Sequence, residues 1–351
     1  MPAIADAQLT LTSELAQLVI AAQQMVSEFD ASSLGSVPFA SVLLRSESAS
    51  SSQIEALTAS ARRLSLAMLG DGRSANAVLI AANVRAMLEA TSTPGPITVD
   101  TILTIHQAIM RDHDPAGAGR LRTEQVWIGG VSPVVARYAP PQAERVPAAM
   151  EDLVRFIGRT DLPPLAQAAI AHAHFETVHP FTDGNGRTGR ALVTAMLRRS
   201  GIAPHVPIPL SAGLLTNTDT YFAALTAYRN GDVAQIVARF VAATDSAILH
   251  ARTLRDDIDQ VRRSILDTAT RVTPALRAVI NLCVADGAFT ARTLTEAGVP
   301  VATAYRIVER LVAAGVLRQE RKIGGQRVWS APGVFQALDR FAQAAGRRTW
   351  R

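Results

Sequence analysis

Apolar residues recur at intervals of three and four along most of this chain, which is the spacing of one buried helical face. The spacing predicts helices over residues 9–28, from about 39, over 59–70, 74–91 and 98–112, over 164–178 and 186–200, from 218, and over 232–268. Proline at position 180 blocks the helical conformation of the residue before it, so the helix over 164–178 ends there. The pattern therefore predicts an all-α fold.

One short segment has the pattern of a β-strand and is formed by Gln125, Val126, Trp127 and Ile128. Two glycines close it, and residues 134–138 are a candidate partner strand. A small hairpin in a helical protein is usually a lid or another functional flap. The alternative is a structural hairpin in which Trp127 belongs to the core.

The pattern changes again from residue 273. Helices over 275–285, 290–297 and 301–314 precede a hairpin at Gly324-Gly325, which predicts a helix-turn-helix with a wing. We therefore divide the chain into an N-terminal helical region (1–95), a catalytic core (96–268) and a C-terminal winged helix-turn-helix domain (269–351).

Charge is unevenly distributed between these parts. The whole chain has a net charge of +5, whereas residues 271–351 hold 13 Lys and Arg against 5 Asp and Glu, and residues 1–270 have a net charge of −3. The outward residues expected on the third helix and the wing are Thr303, Tyr305, Arg306, Arg310, Arg318, Arg321, Lys322 and Arg327. Such basic residues suit phosphates of duplex DNA. A protein-interaction or dimerisation module, including one that forms a homodimer, is the alternative.

Composition restricts the class of protein. Hydrophobic residues make up 48% of the chain and aromatic residues only 5%, which favours helices packed through small side chains. The single cysteine, Cys283, excludes an intrachain disulfide and is expected to be buried filler. The N-terminal segment lacks the basic residues of a signal peptide, and no apolar run is long enough to span a membrane. We expect a cytoplasmic protein without a membrane partner.

The densest chemistry lies at residues 179–190, with the sequence HPFTDGNGRTGR. A helix that begins near Asn185 presents free backbone N–H groups and the positive end of its dipole, which together form an anion site. Gly184 and Gly186 let the backbone approach a phosphate closely. Arg187 and Arg190 lie three residues apart on one face, and two guanidinium groups suit a di- or triphosphate.

Two other residues of this segment complete a reaction centre. Asp183 is a hard oxygen ligand beside the phosphates, as Mg²⁺ requires. His179 titrates near neutral pH and could take a proton from an incoming hydroxyl. The alternative is a glycine-rich helix start, capped by Asp183, with two solvated arginines and no ligand.

The segment resembles the signature of the Fic (filamentation induced by cAMP) family, His-Pro-Phe-x-(Asp/Glu)-Gly-Asn-Gly-Arg-x-x-Arg, at every specified position. The resemblance implies an adenylyltransferase that moves AMP from ATP to a Ser, Thr or Tyr hydroxyl of a protein, including this chain itself. It implies His179 as the general base, Asp183 as the Mg²⁺ ligand, Gly184 to Arg187 as phosphate-binding residues and Arg190 as the γ-phosphate ligand. Doc-type kinases of the superfamily have Lys in place of Gly186, which favours AMP transfer here.

A serine-rich segment at 46–55 carries a second candidate site. It could be a flexible link, or Ser51 or Ser52 with Glu55 could form the capping box of a new helix. It also resembles the inhibitory pattern (Ser/Thr)-x-x-x-Glu-(Gly/Asn) of Fic proteins, with Ser51 and Glu55 in place but Ala56 where Gly or Asn is expected. A glutamate paired with Arg190 would block productive ATP binding.

Two further resemblances extend this interpretation. The segment around Gln125–Ile128 resembles the flap of Fic domains, which implies alignment of the target backbone by strand addition. The position of Tyr221 resembles the part of the fold that borders the nucleotide base, so the ring either stacks on adenine or packs in the core.

The sequence thus predicts a Fic-type helical core and a protein adenylyltransferase autoinhibited by Glu55, with ATP and Mg²⁺. The alternatives are an enzyme that removes AMP at the same site, and a DNA-binding transcriptional regulator that contains a Fic domain.

Overall fold

The computed structural model describes residues 3–33, 37–92, 95–130 and 133–346. The α-helices there are α1 (Ser13–Ser32), α2 (Val37–Ile54), α3 (Ala61–Met68), α4 (Ala75–Ser92), α5 (Val99–Met110), α6 (Val146–Ile157), α7 (Pro164–Val178), α8 (Asn185–Arg199), α9 (Leu210–Leu215), α10 (Thr218–Arg229), α11 (Val233–Leu266), α12 (Pro274–Asp286), α13 (Ala291–Glu296), α14 (Val301–Ala313) and α15 (Pro332–Ala344). The strands are β1 (Ala288–Thr290), β2 (Arg318–Ile323) and β3 (Gln326–Ser330). The predicted mainly helical fold is confirmed. Across the described ranges, no helix has the length and apolar character needed to cross a membrane.

Helices α7 and α8 form the centre of the molecule. Every residue from Leu165 to Val178 is buried, because α7 packs against α1, α6, α10 and α11 as well as α8. A helix that is covered on all sides needs an apolar or small side chain at nearly every position, and its alanines meet that need. The predicted end of α7 is confirmed, since His179 has a left-handed backbone (φ 48°) immediately before Pro180.

The serine-rich segment is neither a flexible link nor a new helix start, so both of those predictions were wrong. It lies within α2, and Ser46, Ser48, Ser50, Ser51 and Ser52 are all buried. Two of these serine hydroxyls donate a hydrogen bond to the backbone carbonyl four residues earlier in the same helix. Ser46 Oγ bonds Val42 O at 2.9 Å, and Ser52 Oγ bonds Ser48 O at 2.9 Å.

The predicted two-stranded hairpin is reduced to one bridge. Ile128 pairs with Tyr138 in antiparallel fashion, whereas Pro133–Val135 forms a 3₁₀ turn instead of a strand. Gly129 and Gly130 both have positive φ, and proline at 133 has no backbone N–H to offer a ladder. Extended pairing therefore stops after one residue pair.

The C-terminal elements have the order α12–β1–α13–α14–β2–β3, and α15, which was not predicted from the sequence, follows them. Their three strands form an antiparallel sheet in the order β1-β3-β2, in which Phe289 lies opposite Trp329 and Glu320 opposite Val328. The observed helices match those predicted over 275–285, 290–297 and 301–314 to within one or two residues.

This C-terminal unit shares a core with the N-terminal helices. Phe29 of α1 and Leu43 of α2 belong to the same buried cluster as Ile280 and Cys283 of α12. Cys283 is fully buried and unpaired, as predicted for a filler residue. The predicted domain boundary at residue 269 lies between α11 and α12. Both helices contribute side chains to the same continuous apolar core.

Candidate functional site

The loop that joins α7 to α8 is fixed by a buried arginine that sequence analysis did not identify. Arg122 is 4% exposed, and its Nε donates to His179 O at 2.8 Å. Its backbone N–H donates to Pro180 O at 2.9 Å, and its guanidinium also reaches Pro141 O at 2.5 Å. One guanidinium group thereby satisfies backbone carbonyls that the turn before Pro180 would otherwise leave unpaired.

The side chain of Phe181 fixes the same loop to the core. Its ring is fully buried and stacks on His106, with ring centroids 3.6 Å apart and planes within 4°. His106 Nδ1 accepts from Gly119 N at 3.0 Å, so the ring carries its proton on Nε2 and donates to Asp183 O at 3.0 Å. Burial lowers the pKa of His106 to about 4, which keeps this bridge neutral.

Asn185 braces the loop rather than presenting its side chain to the cleft. Its Oδ1 accepts from Phe181 N at 2.9 Å, its Nδ2 donates to Phe181 O at 2.8 Å, and the residue is 2% exposed. Both polar atoms of its amide are engaged within the loop, so phosphate binding by Asn185, which stays a prediction, would use its backbone N–H. The backbone N–H of Asn185 still belongs to the first turn of α8.

The start of α8 has the geometry of an anion site. Gly184 is its N-cap with φ 73° and has no side chain to cap the helix, and Asp183 Oδ1 accepts from Gly184 N at 2.6 Å. A Cβ atom on Gly186 would lie closest to Glu55 Oε1 and 2.8 Å from Arg190 Nη1, so the glycine backbone lies directly against the ends of these side chains. Free N–H groups and close backbone access coincide here, as an anion requires.

Glu55, at the end of α2, occupies the two arginines of α8. Its Oε2 lies 2.9 Å from Arg187 Nε, and its Oε1 lies 2.7 Å from Arg190 Nη2. Ser51 completes the contact, because its Oγ accepts from Arg190 Nε at 2.8 Å and its carbonyl accepts from Nη2 at 2.8 Å. Both arginines are 3% exposed. Arg187 Nη1 has no partner in the described chain, so this buried N–H group can still donate to a ligand.

Ala56 explains why the inhibitory pattern favours Gly or Asn at this position. Its φ of 63° is left-handed, a conformation that costs an L-residue with a Cβ atom about 1–2 kcal/mol. Glu55 and Ala56 donate their N–H groups to Ser52 O and Gln53 O at 3.1 and 2.9 Å, which ends α2 in a tight turn. The turn directs Glu55 toward α8.

Asp183 and His179 lie on the cleft side of the loop. The Asp183 side chain is 59% exposed, and its Oδ2 is 3.8 Å from Arg187 Nη2, so the carboxylate is open to a ligand. No group of three or more His, Cys, Asp or Glu residues able to hold a metal occurs in the described ranges. Burial, then the cations of Arg122 and Arg229, lower the pKa of His179 to about 4, so the imidazole is neutral at pH 7.

These groups line a cleft of about 780 Å³. Its apolar wall includes Leu57, Leu79 and the half-exposed ring of Phe222. Arg229 closes one end, with its guanidinium 3.9 Å above the ring of Tyr138. The cleft is large enough for a nucleotide and combines one apolar wall with a cationic floor.

Tyr221 is a core residue, and the prediction that it stacks on a base was wrong. Its side chain is 1% exposed, and its hydroxyl lies 2.7 Å from His172 Nε2. Burial of this hydroxyl raises the pKa of Tyr221 well above its usual range. Its neighbour Phe222, 47% exposed on the cleft, is the aromatic residue with an accessible face.

The predicted flap residues lie at the rim of the cleft with unequal exposure. Trp127 is 42% exposed, so it is not a core residue. Gln125 Nε2 donates to Pro140 O at 2.8 Å, and Ile128 forms the bridge to Tyr138. Val126 is half-buried.

Comparisons with known proteins agree with this geometry. Residues 96–197 match the Fic/DOC family. The chain is 37% identical to the protein adenylyltransferases fic-1 of Caenorhabditis briggsae and Caenorhabditis elegans over 147 and 150 residues, which is 42% of this chain and 27% of each relative. This chain therefore matches only about a quarter of the length of those relatives.

Two solved structures share the fold. A Fic family protein from Desulfovibrio desulfuricans superposes with a TM-score of 0.59 at 22% identity over 92% of this chain and 97% of that one. Fic-1 from C. elegans superposes with a TM-score of 0.54 at 25% identity over 70% of this chain and 73% of that one. The match of residues 96–197 to the Fic/DOC family includes α7, the loop and most of α8.

Proposed function

We propose that this chain is a protein adenylyltransferase that transfers AMP from ATP to a Ser, Thr or Tyr hydroxyl of a protein, and that Glu55 inhibits it. The observation that carries the proposal is one cleft with a neutral imidazole, a free helix start and two buried arginines. The curated relatives named as protein adenylyltransferases support the same reaction.

His179 is the general base of the proposed reaction. Its Nδ1 is buried and its side chain is 19% exposed, which leaves Nε2 as the nitrogen that a substrate reaches. The target oxygen forms a bond to the α-phosphorus, the bond from that phosphorus to the pyrophosphate oxygen breaks, and the hydroxyl proton moves to Nε2. A neutral imidazole at pH 7 is the form that can accept this proton.

The remaining groups bind and orient the nucleotide. The N–H groups at the start of α8 and the guanidinium of Arg187 bind phosphate oxygens, and Arg190 binds the γ-phosphate. Asp183 would hold Mg²⁺, for which its exposed carboxylate fits, and the ion would neutralise charge on the phosphates. Phe222 offers the accessible aromatic face for the base. Residues 125–128 would align the target backbone beside the bridge to Tyr138.

Inhibition follows from competition for the two arginines. Glu55 bonds both guanidinium groups, and the same groups are needed by the terminal phosphates of ATP. Arg190 donates to Ser51 as well, so its orientation is fixed by α2 from two positions. A γ-phosphate can bind Arg190 only after Glu55 moves.

Transfer of a label from ATP tests this function. Protein and cell lysate are incubated with Mg²⁺ and ATP that carries a radioactive α-phosphate, and in parallel with a γ-labelled sample. We expect protein bands with the α-label only, far stronger for Glu55→Gly than for the wild type. Bands with the γ-label would mean phosphate transfer, and loss of AMP from a premodified target without any transfer would mean the reverse reaction. Either result would overturn the proposal.

Duplex DNA binding is a second candidate function, for the predicted winged helix-turn-helix over 269–351, which packs on the predicted catalytic core (96–268) through a shared apolar cluster. Arg306 and Arg310 are exposed on α14, and Lys322 and Arg327 are exposed on the β2–β3 hairpin. Four cations on two adjacent elements suit backbone phosphates. We expect a duplex to bind with an affinity that falls steeply with salt, and Arg306→Ala with Arg310→Ala to abolish the binding. Salt-independent or absent binding would exclude this function.

A further inference from the structure

A buried carboxyl group, Glu176, lies behind the proposed base and has no role in the chemistry described so far. Glu176 is 7% exposed, and its Oε1 has no hydrogen-bond partner among the described residues. Its Oε2 lies 3.9 Å from His179 Nδ1, which is itself buried without a partner. Buried polar atoms without partners, such as Glu176 Oε1 and His179 Nδ1, are rare away from functional sites.

We propose that Glu176 is a positioning residue that binds His179 Nδ1 in the active state and so keeps Nε2 directed at the substrate hydroxyl. This inference rests on the function proposed above. A carboxylate on one ring nitrogen fixes the tautomer and stabilises the imidazolium that forms when the other nitrogen takes a proton. A shift of about 1 Å closes the present gap to hydrogen-bond distance.

Glu55 opposes this interaction in the inhibited state. Burial raises the pKa of Glu176 to about 7, the Arg190 cation lowers it and the Glu55 carboxylate raises it. The charged and titratable groups around Glu176 and His179 are Glu55 from α2, Arg122, His172 from α7, Asp183, Arg190 from α8, and Tyr221 and Arg229 from α10. Departure of Glu55 in the free enzyme removes one negative charge that raises the pKa of Glu176, which favours the ionised carboxylate that can bind the imidazole.

Glu176→Gln in the Glu55→Gly background tests this role. We expect kcat for AMP transfer to fall at least tenfold with little change in the KM for ATP. The acidic limb of the kcat profile should move to lower pH, because a neutral amide no longer raises the pKa of His179. Glu176→Asp should recover part of kcat. A kcat and an acidic limb equal to those of Glu55→Gly would overturn the proposal.

Stability separates positioning from a structural role. The folded-state pKa of Glu176 is raised above that of the unfolded chain, so this carboxyl costs stability increasingly as pH rises from about 4.5 to about 7. Glu176→Gln removes that cost, and its melting temperature at pH 8 should equal or exceed that of the parent. A lower melting temperature together with lost activity would indicate a structural residue instead. If Glu55→Gly itself shows no AMP transfer, the result overturns the proposed function on which this inference rests.

A second inference comes from independent contacts of the C-terminal unit with both helices that flank Glu55. On the upstream side, Val42 and Leu43 of α2 share a buried cluster with Val279 and Ile280 of α12. On the downstream side, Arg62 of α3 binds the buried Glu320 of β2 through two guanidinium nitrogens. Asp71, just after α3, pairs with Arg321 of the same strand.

We infer that the C-terminal unit holds Glu55 on the arginines of α8, so that displacement of the β2–β3 hairpin from α3 activates the enzyme. Only five residues separate Glu55 from the start of α3, so movement of α3 pulls directly on the inhibitory turn. Ala61 N also donates to Asp339 Oδ1 of α15 at 3.2 Å, which fixes the first turn of α3 to the same unit. This inference also rests on the proposed function.

Reversal of one charge tests the coupling. Arg62→Glu should raise the rate of AMP transfer several-fold, because a carboxylate beside Glu320 repels the hairpin. The same change in the Glu55→Gly background should have no further effect, since the inhibitor is already absent. Arg340→Glu breaks a comparable pair with Asp257 of α11, Nε to Oδ2 3.0 Å, and should leave transfer unchanged.

Failure modes are distinguishable. Asp71→Lys reverses the second pair and replaces the test if Arg62→Glu does not fold, as judged by its thermal transition. An unchanged rate for a folded Arg62→Glu or Asp71→Lys would overturn the coupling. An equal increase in the Glu55→Gly background would also overturn it, because the effect would then not pass through Glu55.

Discussion

Two polar segments, residues 46–55 and residues 179–190, meet at the cleft. Their polar groups find hydrogen-bond partners in different ways. In α2, Ser46 and Ser52 donate to carbonyls of their own helix. Glu47 accepts hydrogen bonds from Ser211 of α9, and Ser51 and Glu55 accept from the arginines of α8. In the loop the backbone is held by residues from elsewhere, above all Arg122 and His106. A polar run therefore does not by itself predict a loop, because side chains that satisfy themselves can be buried in a helix.

The proposed reaction and its control lie on different segments. Residues 179–190 provide the proposed base, the anion site and both arginines, whereas Glu55, directly after α2, provides the carboxylate that bonds both arginines. Changes in the loop should abolish transfer, and changes at the end of α2 should only shift the fraction of active molecules.

The largest effect is expected from His179→Ala. Loss of the proposed base should lower AMP transfer about 10²- to 10⁴-fold in the Glu55→Gly background. The melting temperature should stay close to that of the parent, because this side chain makes no hydrogen bond that the fold requires. A rate within threefold of the parent would place the base elsewhere.

A smaller effect is expected from Ser51→Ala. The change removes one of the two hydrogen bonds from Ser51 to the Arg190 guanidinium and leaves the carbonyl contact and Glu55 in place. Loss of a hydrogen bond to a charged group, at about 1.5 kcal/mol, should raise transfer about tenfold. Ser50→Ala is the matched control on α2 and should leave the rate unchanged. Equal rates for both variants would exclude Ser51 from inhibition.

The smallest effect is expected from Ala56→Gly. Glycine adopts the observed left-handed conformation without a Cβ clash, which stabilises the inhibitory turn by about 1 kcal/mol. The greater conformational entropy of glycine in the unfolded chain offsets part of this gain. Residual transfer should fall slightly and the melting temperature should rise slightly. Ala49→Gly in the interior of α2 should do the opposite and destabilise by up to about 1 kcal/mol. The same sign for both variants would contradict the strain at residue 56.

Much of this site could be predicted from the sequence because its chemistry is local. The end of α7 at Pro180, the start of α8 and the spacing of Arg187 and Arg190 follow from neighbouring residues. Glu55 could be matched to Arg190 only through the resemblance of its segment to a family pattern, since 135 positions separate the pair.

What could not be predicted depends on tertiary contacts. Nothing near Arg122 in the sequence signals that its guanidinium holds the loop across 57 positions. Tyr221 and Phe222 are adjacent aromatic residues, and only the packing of α10 on α7 decides which of them faces the cleft. Asn185 lies in the predicted phosphate-binding segment, but its side-chain amide is hydrogen-bonded to the backbone of Phe181. Burial and pairing, which the local pattern does not encode, decided each of these cases.

The most direct test of the central claim is kcat/KM of AMP transfer, measured with Mg²⁺ and ATP below its KM for the wild type, Glu55→Gly and Glu55→Gly with His179→Ala. Release of two charge-assisted hydrogen bonds should raise kcat/KM in Glu55→Gly by about 100-fold or more. The double variant should return to background. Equal rates in the wild type and Glu55→Gly, or transfer that survives the loss of His179, would contradict the account.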